Sequence, residues 1–304
     1  MTTVFIDGAA GTTGLEIRER LAGRSELTII MLDEARRKDV DARAEALNDA
    51  DFVILCLPDE AAREAVGLVR NDRTRIIDAS SAHRVADGWT YGFPELGFDV
   101  AGASRVSNPG CYPTGFLALV APMVRAGLIP SDWPYTVNAV SGYSGGGKAL
   151  IERFENAPDL AFRAYGFALA HKHVPEMQRY AGLSHPPVFA PSVARAHRGM
   201  IVEIPLALSA MPGAPTRDAL LSELATTFET RPLVRVHHEQ PDELLLDRHG
   251  APCDALQLYV LADPASRQAR LVATLDNLGK GAAGAAIQSL NLMAGLDPLA
   301  GLIV

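Results

Sequence analysis

The chain has 304 residues, 48% of them hydrophobic and 21% charged, with a formal net charge of −8. This length favours two domains over a single core, and the composition is that of a folded globular protein rather than a disordered one. The acidic balance argues against a nucleic-acid-binding face, and no apolar stretch reaches the ~20 uninterrupted residues that span a bilayer.

The first residues show no basic region followed by an apolar core, so no signal peptide is read and a cytoplasmic protein is expected, with neither nucleic acid nor membrane as partner. Cys56, Cys111 and Cys253 are the only cysteines, an odd and sparse set that suggests neither a disulfide framework nor a metal site.

An apolar run at residues 3–6 reads as a strand. It is followed by Gly8-Ala9-Ala10-Gly11-Thr12-Thr13-Gly14, then by Leu15, Ile17 and Leu21 at helical spacing. In a strand-to-helix loop of this kind, glycines let the backbone approach a pyrophosphate, and the amides at the helix start favour the anion. The spacing is G-x-x-G-x-x-G rather than G-x-G-x-x-G, so the loop alone is a weak signal.

A second apolar run, residues 27–32, leads into Asp33 and Glu34, which suit a ribose 2′-hydroxyl, and then into Arg36, Arg37 and Lys38, which suit a 2′-phosphate. A solvated loop is the alternative to both. The run at 52–58, closed by Pro58, reads as a buried parallel strand with Cys56 in the core. A further strand at 75–78 precedes the polar loop Ala79-Ser80-Ser81-Ala82-His83-Arg84, at the sheet edge where ligands bind in open parallel sheets. Alternation of strands and helices to about residue 105 predicts a doubly wound α/β sheet.

Asn108-Pro109-Gly110 forms a tight turn before Cys111, and Pro113 precedes the apolar run 116–120 that continues a helix. Cys111 therefore lies at a helix amino terminus, where unpaired amides and the helix dipole stabilise a thiolate. A small buried capping cysteine is the alternative, and the turn that presents the thiol favours a nucleophile. Two of the eight histidines fall in Ala170-His171-Lys172-His173-Val174-Pro175-Glu176, where a side chain suited to proton exchange is expected to serve that thiol.

Ser141-Gly142-Tyr143-Ser144-Gly145-Gly146-Gly147-Lys148 follows the strand-like run 135–140 and reads as a flexible loop. It either wraps a substrate carboxylate or phosphate or is a mobile surface segment. Arg198 either holds an anionic substrate or is solvated. Residues 276–291 join a strand to a helix rich in Gly and Ala, a composition suited to close packing or to close cofactor approach.

Four segments together, FIDGAAGTTG, SNPGCYPTG, HKHVPE and DNLGKGAAGAAIQSLN, resemble the N-acetyl-γ-glutamyl-phosphate reductase family in its short, type 2 form, and they run in order over nearly the whole chain. The resemblance implies a Rossmann-type NADP(H)-binding domain over residues 1–110 and 280–304, with an inserted α+β catalytic and substrate-binding domain over 111–279. It assigns Cys111 as nucleophile and His171 as acid/base. Gly8, Gly11, Thr12, Thr13, Gly14, Asn277 and Lys280 become cofactor residues. Ser80, Ser81 and Arg84 are placed near the substrate phosphate, and Ser141 and Arg198 remain substrate-binding candidates. The family's His-Arg-His pattern is His171-Lys172-His173 here, which keeps the charge but not a planar fork.

The implied reaction is NADPH-dependent reduction of N-acetyl-γ-glutamyl phosphate to N-acetylglutamate 5-semialdehyde and phosphate through a cysteine thioester, in arginine biosynthesis. An acyl phosphate and inorganic phosphate are then the small-molecule partners, no metal is required, and a homo-oligomer is expected. The alternatives are an aspartate-semialdehyde dehydrogenase or aminoadipyl-phosphate reductase, which share the thiol chemistry, and a nucleotide-sensing Rossmann protein without catalysis.

Overall fold

A computed structural model describes residues 1–263, 265 and 267–304. They divide into two compact units, one of residues 1–109 with 282–302 and one of residues 110–281 with 303–304.

In the first unit, β1 (Thr2–Asp7), β2 (Leu27–Ile30), β3 (Phe52–Leu55), β4 (Arg75–Asp78), β5 (Thr90–Tyr91) and β6 (Arg105–Ser107) form a parallel sheet in the order β2-β1-β3-β4-β6-β5. Helices α1 (Thr12–Leu21), α2 (Val40–Asp49) and α3 (Asp59–Leu68) connect the first four strands. Successive strand residues point to opposite faces. Val4, Ile6, Phe52, Ile54 and Ile77 pack with Ile17 and Leu21 of α1 and with Ala286, Ile287 and Leu290 of the helix Gly284–Ala294. Phe5, Val53, Leu55 and Ile76 pack on the other side with Leu47 of α2 and Ala62 and Ala65 of α3. Both faces are covered, so these strands read as unbroken apolar runs and the sheet is doubly wound.

The late helix is tied into this unit by polar contacts. Gln288 Nε2 donates to Glu95 Oε1 at 2.8 Å, and Arg24 Nη1 donates to Asn291 Oδ1 at 2.8 Å. The strands predicted at 27–32 and 52–58 end early, at Ile30 and Leu55. For β3 the reason is its partner β1, which stops at Asp7 opposite Leu55, where Gly8 takes φ +88° and turns the chain out of the sheet.

The second unit is a mixed sheet of β7 (Thr136–Gly142), β8 (Phe162–Ala164), β9 (Val188–Ala194), β10 (Met200–Leu206), β11 (Val234–His237), β12 (Leu256–Asp263) and β13 (Gln268–Leu275), in the order β11-β12-β13-β10-β7-β9-β8. Its helices are α4 (Cys111–Arg125), α5 (Gly147–Asn156), α6 (Val174–Ala181) and α7 (Arg217–Phe228). Residues 112–123 of α4 are all buried, as suits a helix that is apolar on every side. It packs against β10, β12 and β13 and against α6 and α7. Gly115 is where α4 meets the sheet: a Cβ there would stand 3.0 Å from Val202 Cγ2. On the opposite face, Thr136, Asn138, Val188 and Ala190 are exposed. The last residues close on this unit, where Asp254 exchanges backbone and carboxylate hydrogen bonds with Ile303 at 2.6 and 2.8 Å. Among the described residues no helix is long and apolar enough to cross a membrane.

Candidate active site

The glycine loop leaves the carboxyl end of β1, at the point where the order of strands reverses between β1 and β3. Such a switch point opens the ligand crevice of a doubly wound sheet. Gly8 is required there twice over: φ is +88°, and a Cβ would lie 2.3 Å from the carbonyl oxygen of Cys56 at the end of β3. Gly14 is equally constrained, its Cβ falling 2.4 Å from Gly8 O, whereas Gly11 has its nearest neighbour at an ordinary 3.4 Å. Gly11 is the N-cap of α1 and offers no side chain to the first-turn amides. Thr12 Oγ1 is buried with no hydrogen-bond partner among the described residues. Unsatisfied donors at a helix start beside a glycine cradle fit the pyrophosphate of a dinucleotide.

The polar loop after β4 lies in the same unit. Ser80 Oγ donates to Asp78 Oδ2 at 2.8 Å, and Ser81 Oγ donates to the carboxylate of Asp59 at 2.8 Å. Both hydroxyl protons are thus directed at carboxylates. The basic residues of the loop are Arg84, buried with Nε donating to Asn108 O at 3.0 Å, and His83, whose Nδ1 meets Asp78 Oδ2 at 2.6 Å and whose ring stacks on Trp89 at 4.2 Å. Asp78 and His83 carry no motif of their own, and only the fold reveals their pairing.

In the second unit, Cys111 is the first residue of α4, after Gly110 as N-cap, and it is partly exposed. Gly110 has no side chain to occupy the first-turn amides, which leaves the positive end of a 15-residue helix to the thiol. The histidine motif lies next to this turn. Its Glu176, 1% exposed on α6, accepts the amide N–H of Gly110 at 3.1 Å. His171 stands in ring contact with Tyr112 at 6.2 Å, Tyr165 at 5.7 Å, Phe189 at 5.1 Å and His173 at 4.7 Å. The backbone amide of His173 donates to His171 Nδ1 at 3.2 Å. Tyr165 Oη donates to Tyr112 Oη, which donates in turn to Ser192 O, and burial pushes both phenols up from their ordinary range. Glu176 stands inside the quoted motif, which was its signal; nothing in the sequence marked Tyr165 or Phe189.

The segment after β13 is organised by Asp276, 4% exposed. Its Oδ2 accepts Arg198 Nη1 at 2.9 Å and Cys253 N at 3.2 Å, its Oδ1 accepts Leu278 N at 2.9 Å, and its carbonyl accepts Gly281 N at 3.0 Å. Arg198 is therefore buried in an ion pair rather than solvated, because its partner lies on a strand end far along the chain. Gly281 packs on the nucleophile turn: a Cβ would stand 2.8 Å from Cys111 Cβ. Asn277 Oδ1 accepts Gly199 N and its Nδ2 donates to Ser144 Oγ, both at 2.9 Å. Lys280 is 1% exposed in the π-helical turn Gly279–Ala283.

The segment 141–148 is not the flexible loop expected. Ser141 and Gly142 finish β7, residues 143–146 form a short 3-10 turn, and Lys148 falls in the first turn of α5. The amides of Gly142, Tyr143 and Ser144 hold it down by donating to Gly199, Ala196 and His197 carbonyls at 2.8, 2.8 and 3.1 Å. Ser141 is buried, and its hydroxyl donates to Gly142 O at 3.1 Å.

Two family models match the chain: semialdehyde dehydrogenase, NAD binding domain, over residues 3–141, and semialdehyde dehydrogenase, dimerisation domain, over 111–277. A curated N-acetyl-gamma-glutamyl-phosphate reductase 2 of Pseudomonas putida is 49% identical over 302 residues, covering 96% of each chain. The N-acetyl-gamma-glutamyl-phosphate reductase of Trichormus variabilis is 46% identical, covering 98% of each. Among solved structures, aspartate semialdehyde dehydrogenase II of Vibrio cholerae superposes with a TM-score of 0.72 at 16% identity, covering 97% of this chain and 98% of that one, which establishes a shared fold. With the doubly wound first unit, the mixed-sheet second unit and identity along nearly its whole length, the chain belongs to the N-acetyl-γ-glutamyl-phosphate reductase family of semialdehyde dehydrogenases.

Proposed function

We propose that the protein reduces N-acetyl-γ-glutamyl phosphate to N-acetylglutamate 5-semialdehyde and phosphate in arginine biosynthesis, with NADP(H) as cofactor. The observation that carries the reading is the partly exposed thiol of Cys111 at the start of α4, with the motif of His171 packed beside its turn, in a chain 46% to 49% identical to reductases of that name.

Cys111 thiolate attacks the acyl carbon, the C–O bond to phosphate breaks, and a thioester remains on the enzyme. NADPH, when bound, supplies the hydride that reduces this thioester. The C–S bond of the resulting thiohemiacetal then breaks, releasing the aldehyde and restoring the thiolate. A thioester separates acyl transfer from reduction into two easier steps. His171 serves the acyl oxygen as acid or base. Gly8, Gly11, Thr12, Thr13 and Gly14 hold the cofactor's pyrophosphate by their backbone donors, and Asn277 and Lys280 belong to the same binding function. We assign Arg84, Arg198, Ser80, Ser81 and Ser141 to binding of the anionic substrate.

We further read the enzyme as a homo-oligomer acting in the cytoplasm. The open face of the second unit's sheet, with Phe162, Phe167, Leu169 and Val188 more than half exposed, supports pairing of two copies.

The test runs the reaction in reverse. N-acetylglutamate 5-semialdehyde, phosphate and NADP⁺ are expected to yield NADPH at a rate that requires phosphate and is lost in Cys111→Ser. A preference for aspartate semialdehyde, or turnover in the serine variant, would overturn the reading.

A further inference from the structure

Asp254 is 0% exposed, and the proposed reaction gives it no part. A carboxylate is retained in such a place only where hydrogen bonds satisfy it. Its partner comes from far along the chain. The amide N–H of Ile303 donates to Asp254 Oδ2 at 2.8 Å, and the amide N–H of Asp254 donates back to Ile303 O at 2.6 Å. Ile303 and Val304 are themselves 45% and 52% exposed, so they bury little apolar surface and add little to the core. What this segment supplies is the reciprocal pair of bonds.

The residues it holds form the floor of the turn beside the nucleophile. Gly279 rests on them: a Cβ there would stand 2.0 Å from Cys253 O and 2.9 Å from Asp254 Oδ1. The amide N–H of Cys253 donates to Asp276 Oδ2 at 3.2 Å, which ties the same floor to the start of the turn. Farther on, Gly281 N donates to Asp276 O at 3.0 Å, and a Cβ at Gly281 would fall 2.8 Å from Cys111 Cβ and 3.3 Å from its Cα. Two approaches too close for a side chain, two residues apart in sequence, thus link Cys253 to Cys111. Packing this tight passes a displacement on instead of absorbing it.

We infer that Asp254 and Ile303 form a clasp that positions the turn of residues 276–281, and through it both the Cys111 thiol and the side chains of Asn277 and Lys280. Both members of the clasp are positioning residues. The inference rests on the proposed function, in which Cys111 is the nucleophile and Asn277 and Lys280 serve the cofactor. Without the Ile303 amide, Asp254 Oδ2 is left buried and short of a donor, and residues 253–254 must shift to recover one from water. Gly279 has no slack against Cys253 O, so the turn shifts with them. A segment held by two backbone bonds and little apolar contact opens without unfolding the sheet it closes on, so the effect is local.

Three variants of the full chain test the clasp. Ile303→Pro removes the donor N–H and keeps the carbonyl; Asp254→Ala removes the acceptor; Ile303→Ala keeps both backbone groups. Cys111 alkylation by iodoacetamide is followed at pH 7.5 without cofactor, with the labelled peptide identified by mass, and NADPH affinity is read by fluorescence titration. Ile303→Pro and Asp254→Ala should each slow alkylation and weaken NADPH binding by about fivefold, the change expected for the loss of one hydrogen bond, while Ile303→Ala matches wild type. Since both substitutions break the same bond, the double variant should lose no more than the larger single loss. Wild-type alkylation and affinity in either folded variant overturn the clasp. So does an equal loss in Ile303→Ala, or single losses that multiply in the double variant. Near-UV circular dichroism establishes which variants are folded, and because the two substitutions sit at opposite ends of one bond, either alone decides the outcome. Thiol labelling needs neither acyl phosphate nor cofactor, so the clasp stands or falls independently of the phosphate-dependent assay that tests the reaction.

Discussion

The carboxylate of Glu176 accepts the amide N–H of Gly110 at 3.1 Å, so the helix that follows the histidine motif grips the residue immediately before Cys111. The contact is buried and charge-assisted, the kind whose loss costs roughly 1.5–3 kcal/mol. Glu176→Ala is expected to lower the denaturant midpoint accordingly and to cut kcat/KM by at least tenfold, since the turn presenting the thiol loses its anchor. Glu176→Gln retains an acceptor oxygen and should recover most of both. If alanine leaves the alkylation rate of Cys111 and kcat/KM unchanged, the carboxylate does not position the nucleophile.

Gly8 and Gly11 lie in one loop, and the structure assigns them different tasks. Alanine at Gly8 must adopt φ +88° and place its Cβ 2.3 Å from Cys56 O, an overlap with backbone that cannot be relieved locally. Gly8→Ala should therefore lower the melting temperature and abolish NADPH binding together. At Gly11 the nearest neighbour is at 3.4 Å and φ is −76°, so alanine is sterically allowed. Gly11→Ala should stay within about 0.5 kcal/mol of wild-type stability, and a fluorescence titration with NADPH then reports the loop's closeness to the cofactor without interference from misfolding. Loss of fold in Gly11→Ala, or normal binding in Gly8→Ala, would contradict this division.

The contrast between these contacts explains what was legible in the sequence. The strands of the first unit were, because Val4, Ile6, Ile54 and Ile77 face one layer of helices and Phe5, Val53 and Ile76 the other, leaving continuous apolar runs. The position of Cys111 at a helix start was legible from Asn108-Pro109-Gly110, since turn chemistry is local. Glu176 to Gly110, Asp276 to Arg198 and Asp78 to His83 were not. The first two join residues 66 and 78 positions apart, which nothing in the neighbouring sequence specifies, and the third depends on how the loop after β4 folds back on the strand end. The segment 141–148 failed for the same reason: glycines and serines suggest mobility, while the carbonyls that immobilise it come from residues 196–199.

Asp276 and Arg198 form a buried ion pair at 2.9 Å, and the same carboxylate orders the turn leading to Gly281 beside Cys111. Removing one member of such a pair leaves the other charged and desolvated, a cost of about 3–5 kcal/mol. Asp276→Ala should approach that loss in urea unfolding, and Arg198→Met should lose less, since the carboxylate keeps its bonds from the amides of Cys253 and Leu278. The double variant should be more stable than the sum of the two single changes predicts, by at least 1 kcal/mol or so. Strict additivity would mean that the two side chains do not act as a pair.

Cys56 and Cys111 should separate cleanly with pH. Cys56 is packed against the core of the first unit, and burial, with the nearby carboxylates of Asp78 and Asp7, pushes its thiol up to about 12 from 9.0. Cys111 stands at a helix start that favours the thiolate. Iodoacetamide at pH 7 to 8 should therefore label Cys111 in the native enzyme and spare Cys56 until the protein is unfolded. The raised value also has a stability consequence. The folded state holds the Cys56 proton more tightly than the unfolded chain does, so this contribution is present in full below pH 9.0 and is lost as pH rises from there towards about 12. Over that interval the loss approaches ~1.4 kcal/mol per pH unit from this thiol. Cys56→Ala cannot titrate, so the stability difference between wild type and Cys56→Ala should be constant from pH 6 to 8 and should shift against the wild type above pH 9. A difference that stays flat to pH 11, or native labelling of Cys56 at neutral pH, would show that this thiol is not held in its protonated form by the fold.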